Sequence, residues 1–395
     1  MSAWPFVPLD EVAHLNPRLA EPLHDLDKVA FVPMASLDAN AATTTSQDIV
    51  QYGDVKKGYT PFRKGDILVA KITPCFENSK IGIADIPTEV GFGSTEFHVV
   101  RPLLEKVDSD YLLHLLRGRH FIDTGTLRMT GSGGQRRVPL NTLKNYEIPL
   151  PPIKEQQRIA QAFKNAHCTM AMYQKLRTRV QESIRAHFDA TIIAQDWPKR
   201  NLEEIANFIR GITFPSGVQV PHETPGSILC MRTSNVQEEL DTSDVWALPE
   251  EFKPKNHNKL LLEGDTLVST ANSWNLVGKC CFVPRLNRAS TFGGFISVLR
   301  PTSDEIRPSL LYHWFSHPET QARVRNTANQ TTNIANLNIN RCLKLSVPVP
   351  PLEVQFSFEK DVEKMKTTQT QVDGAIHRVH ELYGSLQYRA LRGEL

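Results

Sequence analysis

Two stretches of the chain carry apolar residues in a repeating step of three and four positions. The first stretch follows Pro151-Pro152 and the second follows Pro350-Pro351. This step is typical of the seam of a coiled coil, with one break near Leu176 in the first stretch and one at Gln369 in the second. The predicted seam residues are Ile159, Phe163, Met170, Tyr173, Val180, Ile184, Phe358, Val362, Met365, Val372, Ile376, Val379 and Leu386.

Each stretch is long enough for a helix of about 36 residues, or roughly 54 Å. A helix of this length with a single apolar stripe needs a partner, and the nearest candidate is the other stretch. We therefore predict that the two helices pair as an antiparallel coiled coil between two globular domains. The alternative is that each helix lies flat on its own domain, although flat packing usually requires a wider apolar face.

The sequence contains an internal repeat, in which matching residues of the two copies lie 199 positions apart. Shared landmarks hold this offset over a long stretch, whereas Trp4-Pro5 matches Trp197-Pro198 at an offset of 193. About six residues were therefore gained early in the second copy. The landmark pairs are Gly65-Asp66 with Gly264-Asp265, Lys80 with Lys279, Arg101-Pro102 with Arg300-Pro301, His114 with His313, Asn141 with Asn340, and Pro151-Pro152 with Pro350-Pro351.

A repeat of this length predicts a domain and a connector that are each present twice. The fold class is α+β, with two similar, strand-rich globular domains and two long helices related by a pseudo-two-fold internal repeat. Strands are expected after the glycines at 65 and 264, and short helices near 109–119 and 309–316. The predicted segments are 1–151 (first domain), 152–195 (first long helix), 196–350 (second domain) and 351–395 (second long helix).

Composition and charge add little to this picture. The chain has 45 Lys and Arg against 43 Asp and Glu, so its net charge of +2 does not by itself indicate a nucleic-acid partner. The start of the sequence lacks a signal peptide pattern and no long apolar run occurs, which together indicate a cytoplasmic protein. The six cysteines contain no C-x-x-C spacing and are interpreted as reduced core residues.

No catalytic motif is evident in either copy. The sequence lacks a P-loop, an H-E-x-x-H motif and a G-x-S-x-G motif. A repeated active site would place the same titratable residues in both copies, and only His114 and His313 match. We interpret this pair as packing residues rather than ligands. No metal site or cofactor is predicted for this chain.

Basic and amide residues cluster in loops of the two globular halves. From Arg117 to Lys144 there are six Lys or Arg against one acid, Asp123, and Gln135-Arg136-Arg137 follows a glycine run. Such groups suit phosphate or base-edge contacts, although the glycine run is also typical of a flexible loop tip. The corresponding part of the second copy, residues 316 to 343, is rich in asparagine, which pairs with adenine but is also a common turn residue.

Three motifs resemble the specificity subunit of type I restriction-modification systems. They are GDILVAKITPCFEN from Gly65 to Asn78, GQRRVP from Gly134 to Pro139, and PLPPIKEQQRI from Pro149 to Ile159. The second copy contains a weaker match to the third motif, PVPPLEVQ, which begins at Pro348. After the double proline it departs from the usual Glu-Gln ending of that motif. The resemblance extends over essentially the whole chain.

The resemblance implies a non-catalytic subunit with two target recognition domains, each reading one half of a split, asymmetric DNA sequence. It also implies a coiled coil that sets the gap between the halves, and two copies of a methyltransferase subunit that methylate adenine. The resemblance further implies an optional, ATP-driven restriction subunit. S-adenosylmethionine, ATP and magnesium are then expected on the partner subunits.

We therefore predict a DNA sequence-recognition subunit that directs methyltransferase and restriction subunits to double-stranded DNA. The alternative from another class is a coiled-coil scaffold that binds proteins. The predicted DNA-binding residues are Lys71, Asn78, Lys80, Gln135, Arg136 and Arg137 in the first domain, and Arg232, Asn235, Asn275, Lys279, Gln330 and Asn333 in the second.

Overall fold

The computed structural model of the protein describes residues 4–20, 22–132, 134–330 and 334–394. The chain divides into two compact units. Unit 1 comprises Met1–Lys175 and Val372–Leu395, and unit 2 comprises Leu176–Gln371. Each unit thus contains one globular half together with part of both long helices. The four predicted segments divide the chain differently, and their boundaries stay predictions.

Unit 1 contains a six-stranded and a four-stranded sheet with short helices. Its strands are Phe6–Pro8, Ala13–Leu15, Lys28–Val32, Leu37–Asp38, Thr43–Thr44, Asp48–Gln51, Thr60–Arg63, Ile67–Ala70, Ile81–Ile83, Val90–Gly93, Phe97–Pro102 and Glu147–Pro149. Its short helices are Leu9–Val12, Met34–Ser36, Tyr52–Val55, Ser109–Leu116, Arg119–Leu127 and Leu140–Lys144. The first long helix, Ile153–Phe188, begins in this unit.

Unit 2 contains a four-stranded sheet and two three-stranded sheets. Its strands are Lys199–Asn201, Ala206–Arg210, Ile228–Met231, Trp246–Leu248, Thr266–Ser269, Ala271–Asn272, Cys280–Phe282, Ser290–Phe292, Ile296–Pro301, Asn329–Gln330, Ala335–Asn336 and Ser346–Pro348. Its short helical segments are Asp189–Ile193, Leu202–Ile205, Thr233–Asn235, Glu250–Phe252, His257–Lys259, Pro308–Ser316, Pro318–Asn326 and Ile339–Cys342. The second long helix, Leu352–Arg392, begins here.

The internal repeat is visible in the strand register. In unit 1 Gly91 pairs in parallel with Ala30, and in unit 2 Ser290 pairs in parallel with Leu229, so both partners are displaced by 199. At the start of each copy, Ala13 faces Pro102 and Ala206 faces Pro301, which are displaced by 193 and 199. The prediction of about six gained residues is confirmed, and the gain lies between residues 206 and 229.

The Gly-Asp and Arg-Pro landmarks form one structural element in each unit. In unit 1 the Asp66 carboxylate accepts two hydrogen bonds from Arg101, both 2.8 Å long, across neighbouring strands. In unit 2 Asp265 accepts equivalent bonds from Arg300 at 2.6 and 2.7 Å. Both aspartates are buried, so each needs its arginine to compensate the loss of solvent. The landmarks recur because they stabilise the core sheet of each unit.

Both long helices begin directly after the double prolines, as predicted, and a buried glutamine holds each start. The Gln156 side chain accepts from the Asp108 amide (2.7 Å) and donates to the Lys106 and Pro151 carbonyls (3.0 and 2.8 Å).

The Gln355 side chain repeats all three bonds in unit 2. It accepts from the Arg307 amide at 2.8 Å and donates to the Glu305 and Pro350 carbonyls at 2.8 and 2.7 Å. The departure of the second motif from the usual ending therefore leaves this contact intact.

The predicted seam residues line the packed faces of the long helices. All thirteen are buried or partly buried. In unit 1 the start of the first helix packs on the end of the second, and the Phe163 and Tyr383 rings lie 5.6 Å apart. In unit 2 the start of the second helix packs on the end of the first, with His187 and Phe358 stacked at 5.5 Å. This is the pairing of antiparallel helices, as predicted.

The matched histidines are packing residues, as predicted. In unit 1 His114 Nδ1 lies 2.9 Å from the Tyr383 hydroxyl, and the ring packs on Phe163. His313 in unit 2 packs edge-on against Phe358. Burial lowers the pKa of both imidazoles to about 3, so both rings are neutral near pH 7.

The interpretation of all six cysteines as core residues is wrong for Cys168. All six are unpaired, but Cys168 is exposed and two others are only partly buried. Cys168 lies on the outward face of the first long helix, where the seam pattern does not require an apolar residue. Within the described residues, no helix is long and apolar enough to cross a membrane.

The interiors of the two units differ at one matched position. In unit 1 the Arg117 guanidinium donates to the Ile81 and Ala39 carbonyls, both at 2.7 Å. In unit 2 the matching residue is Ser316, which lines a cavity of about 580 Å³. The side chain at this matched position is therefore long and hydrogen-bonded in unit 1, and short and beside a cavity in unit 2.

Candidate nucleic-acid interface

In unit 1 the two loops that contain the predicted DNA-binding residues lie next to each other. Ile72 and Arg137 form an antiparallel bridge. The Thr73 amide donates to the Arg136 carbonyl at 3.0 Å, and the Val138 amide donates to the Lys71 carbonyl at 2.8 Å. The stretch around Lys71 and the stretch around Arg136 therefore form one surface, although more than sixty residues separate them in sequence.

A glycine turn presents the two arginines on this surface. Thr130 and Arg137 exchange backbone hydrogen bonds of 3.0 and 2.8 Å, which close the loop between them. Gly131 has a φ of +120°, and a Cβ there would lie 2.9 Å from the Gln135 carbonyl oxygen. Only glycine fits this position without strain. The loop tip is thus a closed turn, with Gln135 exposed at its end.

Each arginine is held by a glutamate from a neighbouring segment. Arg136 Nη2 lies 3.1 Å from Glu77 Oε1, and Arg137 Nη2 lies 2.7 Å from Glu96 Oε1. The hydrogen bond from Arg137 lowers the pKa of Glu96, and the same bond raises the pKa of Arg137. Both groups stay charged near neutral pH, and the pairs fix the direction of the guanidinium planes.

The other predicted residues of unit 1 surround this turn. Asn78 is exposed on the loop that begins at Lys71, while Lys71 and Lys80 are partly buried. The Lys80 amide donates to the Cys75 carbonyl at 3.0 Å, which closes the same loop from its far side. All six predicted residues of unit 1 thus lie on two adjoining loops.

Unit 2 builds the equivalent framework as a small three-stranded sheet. Ala271 pairs with Asn336, and Asn336 pairs with Asn329. The matching bridges in unit 1 are Ile72 with Arg137 and Thr130 with Arg137, each displaced by 199. The backbone of the candidate site is therefore repeated in register, whereas its side chains are not.

Two predicted residues of unit 2 lie in a separate cluster between residues 232 and 246. Arg232 pairs with Asp244 at 2.7 Å and lies 4.4 Å from the centre of the Trp246 ring. Asn235 is 1% exposed, and its amide donates to the Asp241 and Asp244 carbonyls at 2.8 and 2.9 Å. In this conformation the Asn235 amide holds the loop and offers no group to a base.

The remaining predicted residues of unit 2 differ in location and exposure. Asn275 is exposed in the loop after the strand Ala271–Asn272, and Gln330 is exposed in the small sheet. Lys279 is partly buried, and its ammonium donates to Gln237 Oε1 at 2.5 Å. Asn333 lies outside the described residues. The structure thus places Asn275 and Gln330 on the repeated framework.

The sequence reasoning missed the residues that occupy the key framework positions in unit 2. Asn336 matches Arg137, and Phe295 matches Glu96, at the offset of 199. Trp274 and Leu276 lie on the loop that matches the one beginning at Lys71, and both are exposed. Only Asn336 could have been found from the repeat, by adding 199 to the predicted Arg137, because the residues that match Phe295, Trp274 and Leu276 in the first copy were not predicted either.

Within the described residues, no three His, Cys, Asp or Glu side chains come together as a metal site. Each unit instead presents exposed polar or apolar side chains on a framework of paired backbone segments. Such an arrangement can bind a partner by shape and hydrogen bonding.

Comparisons with known proteins agree with this arrangement. Residues 1–182 match the family described as the type I restriction modification DNA specificity domain. The chain is 39% identical over 206 residues to the EcoEI specificity subunit of Escherichia coli, and 36% identical over 206 residues to the EcoAI specificity subunit of the same species. Each alignment covers 51% of this chain and 34% of the relative, so the match spans about a third of those proteins.

Two solved structures share the fold over nearly the whole chain. The first comes from work entitled as the structural basis of complex assembly and conformational transition of the type I R-M system. Its TM-score is 0.55, with 19% identity, and the match covers 99% of this chain and 98% of that chain. The second is the type I restriction-modification S subunit from M. genitalium, with a TM-score of 0.50, 15% identity and coverage of 99% and 96%.

Residues 1–182 are similar to the type I restriction modification DNA specificity domain, and the two relatives and two structures point to the same family. The resemblance inferred from the three motifs is therefore confirmed. The predicted fold class is also confirmed, because the likeness in fold to these two structures extends over both repeats and both long helices.

Proposed function

We propose that this chain is a DNA sequence-recognition subunit that reads a bipartite, asymmetric target. The observation that carries the proposal is the repeated turn framework with different side chains, arginines 136 and 137 in unit 1 and Ala335 and Asn336 in unit 2. Two similar frameworks with different contact groups suit a protein that recognises two different half-sequences. The family match of residues 1–182 supports the same conclusion.

The chemistry of unit 1 suits the major groove of a duplex. An arginine held in a fixed direction can donate two hydrogen bonds to guanine, and a neighbouring carboxylate can accept one from cytosine. Arg137 Nε and Nη2 donate to both oxygens of Glu96, so this pair holds the two groups next to each other and has to open for either of them to contact a base edge. Lys71 and Lys80 lie on the same pair of loops, and cations there favour contact with the phosphate backbone.

The proposed role is non-catalytic and depends on partner subunits. Following the resemblance of its three motifs, this chain is proposed to direct two adenine methyltransferase subunits, and a restriction subunit where one is present, to the DNA target. S-adenosylmethionine, ATP and magnesium then bind to those partners, and the complex works in the cytoplasm. The coiled coil fixes the spacing of the two half-sites, which must match the helical repeat of about 34 Å.

Selection from a randomised duplex library tests the proposal. The chain, purified together with its methyltransferase partner, should enrich two short sequences separated by a fixed gap. Binding to the enriched duplex should fall steeply between about 50 and 200 mM salt, because counterions compete with the phosphate contacts. Enrichment of no sequence, together with salt-independent binding of proteins, would instead identify a coiled-coil scaffold.

A further inference from the structure

The two candidate surfaces differ in a coordinated way at four matched positions. In unit 1 these positions are 77, 96, 136 and 137, and they form two ion pairs, Arg136 with Glu77 and Arg137 with Glu96. In unit 2 the matching residues at 276, 295, 335 and 336 are Leu276, Phe295, Ala335 and Asn336. Both members of each ion pair differ together, so no charge is left without its partner.

At two of these positions, Leu276 and Phe295, unit 2 is apolar and exposed, whereas Asn336 is polar and exposed and Ala335 is buried. Phe295 is 69% exposed, Leu276 is 43% exposed and the nearby Trp274 is 37% exposed. The Phe295 carbonyl accepts from the Thr270 amide at 3.0 Å, which sets it beside the strand that pairs with Asn336. We call Trp274, Leu276, Phe295 and Asn336 the apolar reading patch.

Several large apolar side chains grouped on a surface indicate that a partner covers them. In unit 1 the same framework presents arginines that are proposed to contact base-pair edges. The partner expected for the matching framework of unit 2 is therefore also a base-pair edge. The apolar group in the major groove is the 5-methyl group of thymine, and the base that asparagine pairs with bidentately is adenine. The apolar reading patch therefore offers the two kinds of contact that an A·T pair requires.

Resting on the proposed function, we propose that unit 2 recognises thymine methyl groups through this patch and so reads A·T pairs. Unit 1 reads G·C pairs with Arg137 and Glu96 when this ion pair opens on the base edges. The four matched positions set the sequence of each half-site, while the repeated backbone sets where the bases lie. The two half-sites consequently differ in base composition as well as in sequence.

Replacement of thymine by deoxyuridine tests the inference, because it removes only the methyl group. On the duplex selected from the random library, the half-site of unit 1 is identified as the one whose preference changes in the Arg136→Ala variant. Deoxyuridine in the other half should weaken binding about fourfold for each contacted thymine, the effect of one buried methyl group. The same replacement in the half of unit 1 should change affinity less than about twofold.

Two variants complete the experiment. Phe295→Ala should abolish the difference between thymine and deoxyuridine at one position, and since the side chain is exposed, the variant should remain folded. Leu262→Ala, which removes another exposed apolar side chain of unit 2, is the matched control and should retain the difference.

The outcomes separate this inference from the proposed function. A selected bipartite sequence that lacks A·T pairs in the half of unit 2, or that binds equally with deoxyuridine, overturns the inference alone. In that case the apolar reading patch is covered by a protein partner. If no bipartite sequence is selected, the proposed function fails and the inference fails with it.

Discussion

The glutamine at the start of each long helix gives a sharp test of how the repeats are built. Replacing Gln156 by alanine removes three hydrogen bonds from a fully buried side chain and leaves the Asp108 amide and two carbonyls without their partner. Gln355→Ala removes the same three bonds in unit 2. The two substitutions should therefore have similar effects, although the flanking sequences differ.

The expected loss in the free energy of unfolding follows from the number of hydrogen bonds removed. Each hydrogen bond contributes about 1 kcal/mol net, and buried groups left unsatisfied cost more, so each variant should lose about 3 kcal/mol or more. For a unit of this size, that loss lowers the melting temperature of the affected unit by about 6 to 12 °C.

Urea unfolding followed by circular dichroism measures the loss. Gln157→Ala, which truncates the exposed neighbouring residue, is the matched control and should stay within about 0.5 kcal/mol of the parent protein. If Gln156→Ala behaves like Gln157→Ala, then the buried hydrogen bonds do not hold the helix start and the reasoning is refuted.

Three further predictions concern the coiled coil, acid stability and DNA contact. Phe358→Ala should destabilise unit 2 by about 3 to 5 kcal/mol, whereas Phe356→Ala, two positions earlier and exposed, should cost far less in the same urea assay. Because the pKa of His114 is about 3 when folded and higher when unfolded, its contribution to stability is present above about pH 6.5 and declines as the pH falls. His114→Phe should flatten that decline in a pH series of urea midpoints, and an unchanged slope would contradict the assignment. Arg136→Ala should weaken binding to the specific duplex by about 1 to 3 kcal/mol in a titration, and an equal loss on random duplex would make it a phosphate contact.

The local elements were predictable because short-range physical rules determine them. A glycine turn precedes the core strand in both copies, and Gly65 and Gly264 have φ values of +86° and +92°. The double prolines exclude helix before residue 153 and residue 352, and the seam residues lie in the packed faces as their spacing indicates. The constant offset of 199 carried these predictions from one copy to the other.

The side-chain roles in the loops were harder to predict. Asn235 looks like an exposed reader in sequence, but its amide satisfies two backbone carbonyls that come together only in the folded loop. The partners of Arg136 and Arg137, residues Glu77 and Glu96, lie 59 and 41 positions away, so no local pattern reveals them. Long-range pairing decides which polar groups are engaged and which remain exposed.

The internal repeat also relates the two candidate sites position by position. Applying the offset to Arg137 leads to Asn336, and applying it to Glu96 leads to Phe295. These positions define the difference between the two units more clearly than the number of asparagines in the second copy. Ser316, which lines the cavity of unit 2, is a similar case, since the matching residue in unit 1 is the hydrogen-bonded Arg117.

Methylome sequencing tests the central claim, that each unit reads its own half of one DNA target, most directly. Cells expressing this chain with its methyltransferase are compared with cells in which residues 131–137 are deleted from the chain, and with cells carrying Asn336→Ala. We expect a split adenine-methylated sequence in which the deletion relaxes one half only and Asn336→Ala relaxes the other. Methylation that does not depend on this chain, or variants that alter both halves equally, would contradict the account.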